Sequence, residues 1–381
     1  MSNEKQTKAR IAKNDEFYTQ YSDIQNEVNA YLEYNPDVFR GKTVLLPCDD
    51  PEWSNFTRFF AQNFENFGLK KLISTSYARS EKKRKYQIEE YHQMSLFELD
   101  SPIYDPEKSN SRGRIFTLSR DKDNSGKIDI DDLEWQYLNG DGDFQSDEVK
   151  ALRHEADFII TNPPFSLYRE FISWLFEEDK KFLIIGAKGS VSYKEIFPAI
   201  MNNRMWAGAT RWSGGMWFEV KSQDLADKQV NGVWLKNVAS VWFTNIDHGR
   251  RHEPLSLMGM QDNIRFSRHK DVRGVGYSHY VNCSSAIEVP YTDAIPIDYD
   301  GIMGVPITFL EKYCPEQFQI VGCPDADVLP DDWGGLTKEF VSLYYSQGNT
   351  GQYSEGNRLA SYVDEMGLAK IPFKRVLIKR R

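Results

Sequence analysis

Cysteine is scarce in this chain. Its 381 residues hold four, Cys48, Cys283, Cys314 and Cys323, and no two stand in C-x-x-C spacing. That argues against a zinc framework and for reduced thiols in a cytoplasm. Long apolar runs are missing too. None approaches the roughly 20 residues of a membrane span. The first ten residues, MSNEKQTKAR, are polar and charged with no apolar core, unlike a secretory signal. No glycine-rich loop follows the first strand-like run, so the ordinary nucleotide fingerprint is absent. An excess of positive charge is lacking as well: 47 Lys and Arg against 56 Asp and Glu leave a net charge of −9. Net charge is a weak test of nucleic-acid contact, because local patches decide it.

Such patches are present. Arg79, Lys82, Lys83, Arg84 and Lys85 form one. Arg250 and Arg251, followed by Arg265, Arg268, Lys270 and Arg273, form a second. Lys374, Arg375, Lys379, Arg380 and Arg381 close the chain. Singly, each also suits an ordinary solvated face. Much of the acidic excess sits between Glu98 and Glu148, so the charge is segregated. With 40% hydrophobic residues the chain is globular, and its length suits two domains.

The most informative stretch is Asn162-Pro163-Pro164-Phe165. It follows an apolar run, Asp157 to Thr161, and precedes a helical pattern from Ser166 to Phe171. Strand, turn, helix is the layout that presents side chains at the carboxyl edge of a parallel sheet. Two prolines fix φ and make the turn stiff. An amide oxygen, a rigid carbonyl and an aromatic face then project from one point. They suit a planar conjugated amine: the Asn162 side-chain oxygen and the Pro163 carbonyl can accept both N–H bonds, and Phe165 can stack on the ring. Two acceptors that draw such an amine toward tetrahedral geometry localise its lone pair, favouring the transition state over the ground state. The plain reading of the same residues is a proline turn after a buried strand.

Around this turn the chain reads as an open, mostly parallel α/β sheet. Ile24, Val28 and Leu32 mark a first helix, with Ser22 and Gln25 at capping-box spacing. Thr43 to Pro47 reads as a strand. Asp50 and Pro51 read as the N-cap and first position of a helix bearing Phe56, Phe60, Phe64 and Phe67 and stopping at Gly68. Lys70 to Tyr77 is a second strand, ending in Ser74, Thr75 and Ser76 where nucleotide-binding sheets often carry an acid. Residues from about 78 to 139 read as a polar insertion. Within it, Asp121, Asp123, Ser125, Asp129 and Asp132, with Gly126, match the order of a calcium loop, and equally an acidic turn. Asp143 and Phe144 precede another helix. Lys181 to Gly186 is a further strand, and Val233–Leu235 with Val238–Phe243 suggest a closing hairpin in which Trp242 or Phe243 suits the second wall of a base pocket or, as the favoured reading, the core. His248 and His252 read as part of a basic surface.

Taken together, "NDEFYTQ", "PCDDPEWSNF", "GDFQSDE", "ADFIITNPPFSLYREFI", "KFLIIG", "VWFTN" and "MGVPITFLEKY" occur in this order. They resemble the EcoRI-type adenine-specific DNA methyltransferase family across nearly the whole chain. The resemblance implies a Rossmann-like methyltransferase sheet over residues 1–245, with the acidic insertion, and a DNA target-recognition region over 246–381. It implies S-adenosylmethionine as cofactor, duplex DNA as partner and N6-methyladenine as product, in a cytoplasmic enzyme. By position, Asn162, Pro163, Pro164 and Phe165 are the catalytic motif. Phe17, Tyr18, Thr19, Asp49, Asp50, Pro51, Ser54 and Asn55 are the cofactor set, and Asp143 and Phe144 lie near the adenine. No metal is required. A cognate endonuclease is compatible with this, though no stable protein partner is implied. Methylation of a glutamine amide in a protein, and a calcium-dependent DNA-binding module without catalysis, are the alternatives.

Overall fold

The fold is taken from a computed structural model, described over residues 17–50, 54–78, 101–220 and 223–381. Up to residue 248 the strands are, in chain order, β1 (Tyr18–Thr19), β2 (Thr43–Leu46), β3 (Lys71–Ser76), β4 (Arg114–Leu118), β5 (Glu134–Tyr137), β6 (Phe158–Thr161), β7 (Lys181–Ala187), β8 (Trp206–Ala207), β9 (Met216–Glu219), β10 (Lys228–Val230), β11 (Val233–Val238) and β12 (Ser240–Thr244). Among the described residues these form an eight-stranded sheet, β5-β4-β3-β2-β6-β7-β12-β8, and a four-stranded one, β1-β9-β11-β10. In the large sheet β3, β2, β6 and β7 are mutually parallel, whereas β4 and β12 run against their neighbours β3 and β7.

The chain leaves β2 for β3 on one side and later returns to place β6 on the other. The order therefore reverses between β2 and β6, and the crevice at the carboxyl ends of those two strands is the place where open α/β sheets bind ligands. Val44, Leu45 and Leu46 are fully buried, as are Ile159 and Ile160. Burial on both faces explains why these strands read as continuous apolar runs rather than alternating ones. The helices that cover them carry the expected stripes. Ile24, Val28 and Tyr31 are fully buried on the helix Tyr21–Tyr34, and Phe56, Phe59 and Phe60 are buried on Asn55–Gln62.

Several local expectations are corrected. The first helix begins at Tyr21, two residues earlier than a Ser22 cap requires, after a Gln20 that makes no side-chain cap. Ser54, not Asp50, caps the helix Asn55–Gln62. The insertion is less peripheral than its polarity suggested, because β4 and β5 extend the main sheet next to β3. β11 and β12 are not a hairpin: β11 pairs with β9 and β10, while β12 pairs with β7. His248 is buried, with Nε2 3.0 Å from the Ala207 carbonyl and its ring edge-on to Tyr31. Trp242 and Phe243 are core residues.

The chain divides into two compact units, residues 1–188 with 207–248, and residues 189–206 with 249–381. The short stretch 189–206 joins the second unit through specific bonds: Lys374 Nζ donates to Ser192 Oγ at 2.6 Å, and Arg251 donates to Asn203 Oδ1 at 2.8 Å. The second unit holds a seven-stranded mixed sheet around its C-terminal strand Arg375–Arg380. A buried ion pair, Arg375–Glu288 at 2.6 Å, joins that strand to Glu288, whose other oxygen accepts the Tyr280 hydroxyl.

Candidate active site

β2 ends at a sharp bend. Cys48 adopts φ +68°, a left-handed conformation uncommon outside glycine, and turns the chain into Asp49 and Asp50. Here a cysteine takes the backbone geometry that a glycine loop would otherwise supply. Both acids are largely buried. Asp50 forms an ion pair with Arg114 of β4 at 2.6 Å, each side chain less than a tenth exposed, and Arg114 also donates to Ser76 Oγ at 3.3 Å. Asp49 is held by hydroxyls. Ser54 Oγ donates to Oδ1 at 2.7 Å, and Thr161 Oγ1 lies 2.5 Å from Oδ2. Burial pushes the Asp49 carboxyl up to about 7, against the pull of the Thr161 and Ser54 bonds; the Asp50 charge adds to the rise.

Thr161 is the last residue of β6, directly before Asn162. Its hydroxyl also reaches the Pro47 carbonyl at 2.7 Å. A threonine has one hydroxyl proton, so serving both partners at once requires a proton on Asp49. The β2 bend and the β6 turn are thereby tied through a single hydroxyl.

At the β6 turn, Asn162 Nδ2 donates to the Phe17 carbonyl at 3.0 Å. Only the amide nitrogen can donate to a carbonyl, so this bond fixes which way the side chain faces. Asn162 Oδ1 is buried with no hydrogen-bond partner among the described residues. An unsatisfied buried acceptor costs roughly 1–3 kcal/mol, so its persistence marks a place where a donor is to arrive. Pro163 and Pro164 are buried, and Phe165 is half-exposed. The Phe165 ring is braced at right angles by Phe218 of β9 (6.4 Å, 90°) and at 74° by Phe17 (6.1 Å).

The N-terminal segment completes this arrangement. β1 pairs with β9 through Tyr18↔Glu219 and Thr19↔Phe218. Asn55 Nδ2 donates to the Thr19 carbonyl at 2.8 Å, and Thr19 Oγ1 is buried without a partner among the described residues. Phe17, Thr19, Asp49, Ser54, Asn55 and Asn162 are thus joined by one chain of bonds, with Tyr18 alongside in β1. Pro51 lies outside the described residues. Asp143 is half-buried in a loop pinned to the end of β3: Gly142, at φ +86°, approaches Ser76 so closely that a Cβ would lie 2.4 Å from its carbonyl oxygen. Phe144 turns the other way. It is fully buried against Phe171 (5.1 Å) and Trp174 (5.7 Å), a packing role that leaves its ring no free face for a base.

Three participants were not singled out from the sequence: Arg114, Thr161 and Phe218. Arg114 left the clearest trace, a lone charge opening the apolar run Arg114–Leu118. Asp121, Asp123 and Asp132 do come together, with carboxylate oxygens within 4.8 Å of one another. Their oxygens already accept backbone N–H groups of the same turn, from Lys122, Asp123, Ser125, Gly126 and Asp129.

The family model for the adenine-specific methyltransferase EcoRI matches residues 5–381. The chain belongs to the EcoRI adenine-specific methyltransferase family. It is 38% identical to the type II methyltransferase M.EcoRI of Escherichia coli, over 82% of this chain and 87% of that protein. It is 33% identical to the type II methyltransferase M.MpnI of Mycoplasma pneumoniae, over 83% and 84%, and 32% identical to M.MgeORF184P of Mycoplasma genitalium, over 83% and 85%. No solved structure matches it. The chain is therefore an adenine-specific DNA methyltransferase with a mixed α/β fold. Among the described residues no helix is long and apolar enough to cross a membrane.

Proposed function

We propose that this methyltransferase moves the methyl group of S-adenosylmethionine to the N6 amine of one adenine, flipped from duplex DNA, at Asn162–Phe165. The observation that carries this is the buried, unpartnered Asn162 Oδ1, whose direction is set by the Phe17 carbonyl. Flipping costs a few kcal/mol, offset by stacking of the base on Phe165. Asn162 Oδ1 and the Pro163 carbonyl accept the two amine protons and localise the nitrogen lone pair along the line of attack. With the cofactor bound, the nitrogen would take the methyl as the S–CH3 bond breaks, leaving a neutral thioether, and the positive charge gained by the amine would be relieved by loss of one proton to solvent.

The residues suit the cofactor. Phe17, Tyr18, Thr19, Asp49, Asp50, Ser54 and Asn55 surround the switch point of the sheet, and the unpartnered Thr19 hydroxyl is a polar group for it to satisfy. The cofactor supplies an electrophilic methyl on a sulfonium. This chain supplies the acceptors that make a poor nucleophile competent and the aromatic surface that holds it. Asp50 is neutralised by Arg114 and Asp49 is tied to hydroxyls, so we assign both acids to shaping the β2 bend rather than to serving as open counter-ions. Asp143 remains the substrate-side residue of its pair. The first unit is the catalytic domain and the second recognises the target. The free cysteines suit a cytoplasmic enzyme, and the type II relatives suit pairing with an endonuclease.

The test is direct. The purified protein is incubated with S-adenosylmethionine and methylation-free genomic DNA, and the digested nucleosides are read by mass spectrometry. N6-methyladenine is expected, and sequencing for modified adenines then gives the target. Unmodified DNA alongside methylated glutamine in a protein substrate would overturn the assignment.

A further inference from the structure

The basic clusters differ in how many of their side chains are bonded within the fold. The Arg79–Lys85 cluster lies outside the described residues. In the C-terminal cluster, Lys374 bonds Ser192, Arg375 pairs with buried Glu288, Arg380 donates to the Ile297 carbonyl and Arg381 to that of Phe318. Arg250 pairs with Glu311 at 2.8 Å, and Arg251 lies 3.9 Å over the Trp206 ring. Each of these six has a partner within the second unit, with Arg380 and Arg381 exposed; Lys379 of the same cluster is exposed, and its side chain forms no ion pair or hydrogen bond with a described residue.

The stretch Met260–Gly276 differs. Arg265, Lys270 and Arg273 are exposed, and none of their side chains forms an ion pair or hydrogen bond with a described residue. Arg268 is 80% exposed while touching Asp293 at 2.8 Å. Beside them Phe266 is 69% exposed. The nearby acids Asp271 and Asp293 accept from Tyr291 and His269, which leaves Asp262 as the other exposed carboxylate of the stretch.

The frame beneath is fixed. Asn263 is fully buried and donates to the Ala294 carbonyl, Val272 is fully buried, and Gly274 N–H donates to the Ile264 carbonyl at 2.8 Å. That last bond brings the Arg273 turn beside Arg265. A ring left in water among unpaired cations is poor design for a free surface. It is what a phosphate backbone with bases behind it selects.

We propose that the exposed face of residues 260–276 binds duplex DNA, with Arg265, Lys270 and Arg273 on backbone phosphates and Phe266 against the bases. This rests on the DNA-methylation reading and specifies where the second unit grips its substrate. Each phosphate contact adds about 0.9 to the slope of log affinity against log salt, whereas an apolar contact adds none.

The experiment uses the full chain, a labelled duplex carrying the mapped target and a random duplex of equal length, titrated from about 50 to about 200 mM salt. The triple variant Arg265→Gln, Lys270→Gln, Arg273→Gln is expected to bind both duplexes about 10- to 100-fold more weakly, with the slope reduced by about 2 to 3. Phe266→Ala is expected to lose about 10-fold on the target duplex with an unchanged slope. Melting curves and cofactor binding should match the unaltered enzyme, because the substituted side chains are exposed. A triple variant with unaltered slope and affinity, from an enzyme that still methylates DNA, overturns the proposal. Failure of the unaltered enzyme to bind or methylate duplex DNA overturns the methylation reading and this surface with it.

Discussion

The turn Asn162–Phe165 and the stretch Met260–Gly276, proposed above to meet the same DNA, are built on opposite physics. At the turn, the functional acceptor is buried, its direction fixed by the Phe17 carbonyl, and left without a partner. On the stretch, the functional cations are long, hydrated and unpaired. Chemistry on a nitrogen lone pair needs acceptors that do not reorganise, which requires desolvation and a rigid frame. Phosphate contact tolerates flexible side chains, because counterion release supplies much of its free energy. A change at the first region should therefore damage rate and spare binding, and a change at the second should do the reverse.

The largest effect that would break this contrast is at Asn162. Asn162→Ala removes the buried, unpartnered side-chain oxygen that we assign to the amine. Turnover should fall by about 10³-fold or more, on the order of 4 kcal/mol, with DNA affinity and cofactor affinity nearly unchanged. Single-turnover methylation alongside equilibrium titrations separates the two. Near-normal turnover would remove Asn162 from the chemistry.

The two regions were also unequally legible. Strand, double proline and aromatic placed the Asn162 turn from local sequence, because each residue acts through its own backbone or side-chain chemistry. The brace around it was not legible. Phe218 reaches Phe165 only because β9 pairs with β1, and Arg114 reaches Asp50 only because β4 lies beside β3. Those are contacts across long sequence separation, and periodicity carries no trace of them. Phe144 shows the converse. A motif position suggested a residue near the substrate, while the ring itself packs against Phe171 and Trp174. The cationic stretch was visible as a run of charge, yet only side-chain pairing distinguishes its free residues from Arg250, Arg251 and Arg375.

A smaller effect sharpens the point about desolvation. Asp49 titrates at about 7 in the fold because burial disfavours its charge. In the unfolded chain it titrates near 4. The folded state therefore holds a proton that the unfolded state has lost, and stability falls as pH rises from about 4 to about 7, then levels off. Asn keeps an acceptor for Ser54 and a donor for Thr161 and has no charge to bury. Between pH 5 and pH 8 the unaltered enzyme should lose about 2–3 kcal/mol relative to Asp49→Asn. Urea unfolding of both proteins across that range checks it. Parallel pH dependences would mean that Asp49 stays ionised in the fold.

The smallest effect concerns the brace. Phe218 is fully buried and touches Phe165 and Phe17 from β9. Its ring contacts are with Phe17 and Phe165, so its expected influence on catalysis is through the position of Phe165. Phe218→Leu keeps the apolar volume roughly constant and removes the perpendicular ring contact, worth about 1 kcal/mol. Stability should drop by about that amount. If Phe165 stacks on the base, the loss should show as weaker retention of the flipped adenine: about a 5- to 10-fold lower rate on a fully paired target. The loss should shrink on a duplex with a mismatch opposite the target adenine, where extrusion already costs less. A merely structural residue would give the same rate ratio on both duplexes. A ratio that depends on the pairing of the target ties the β1–β9 sheet to base capture, and so separates the rigid pocket from the solvated grip on the DNA backbone.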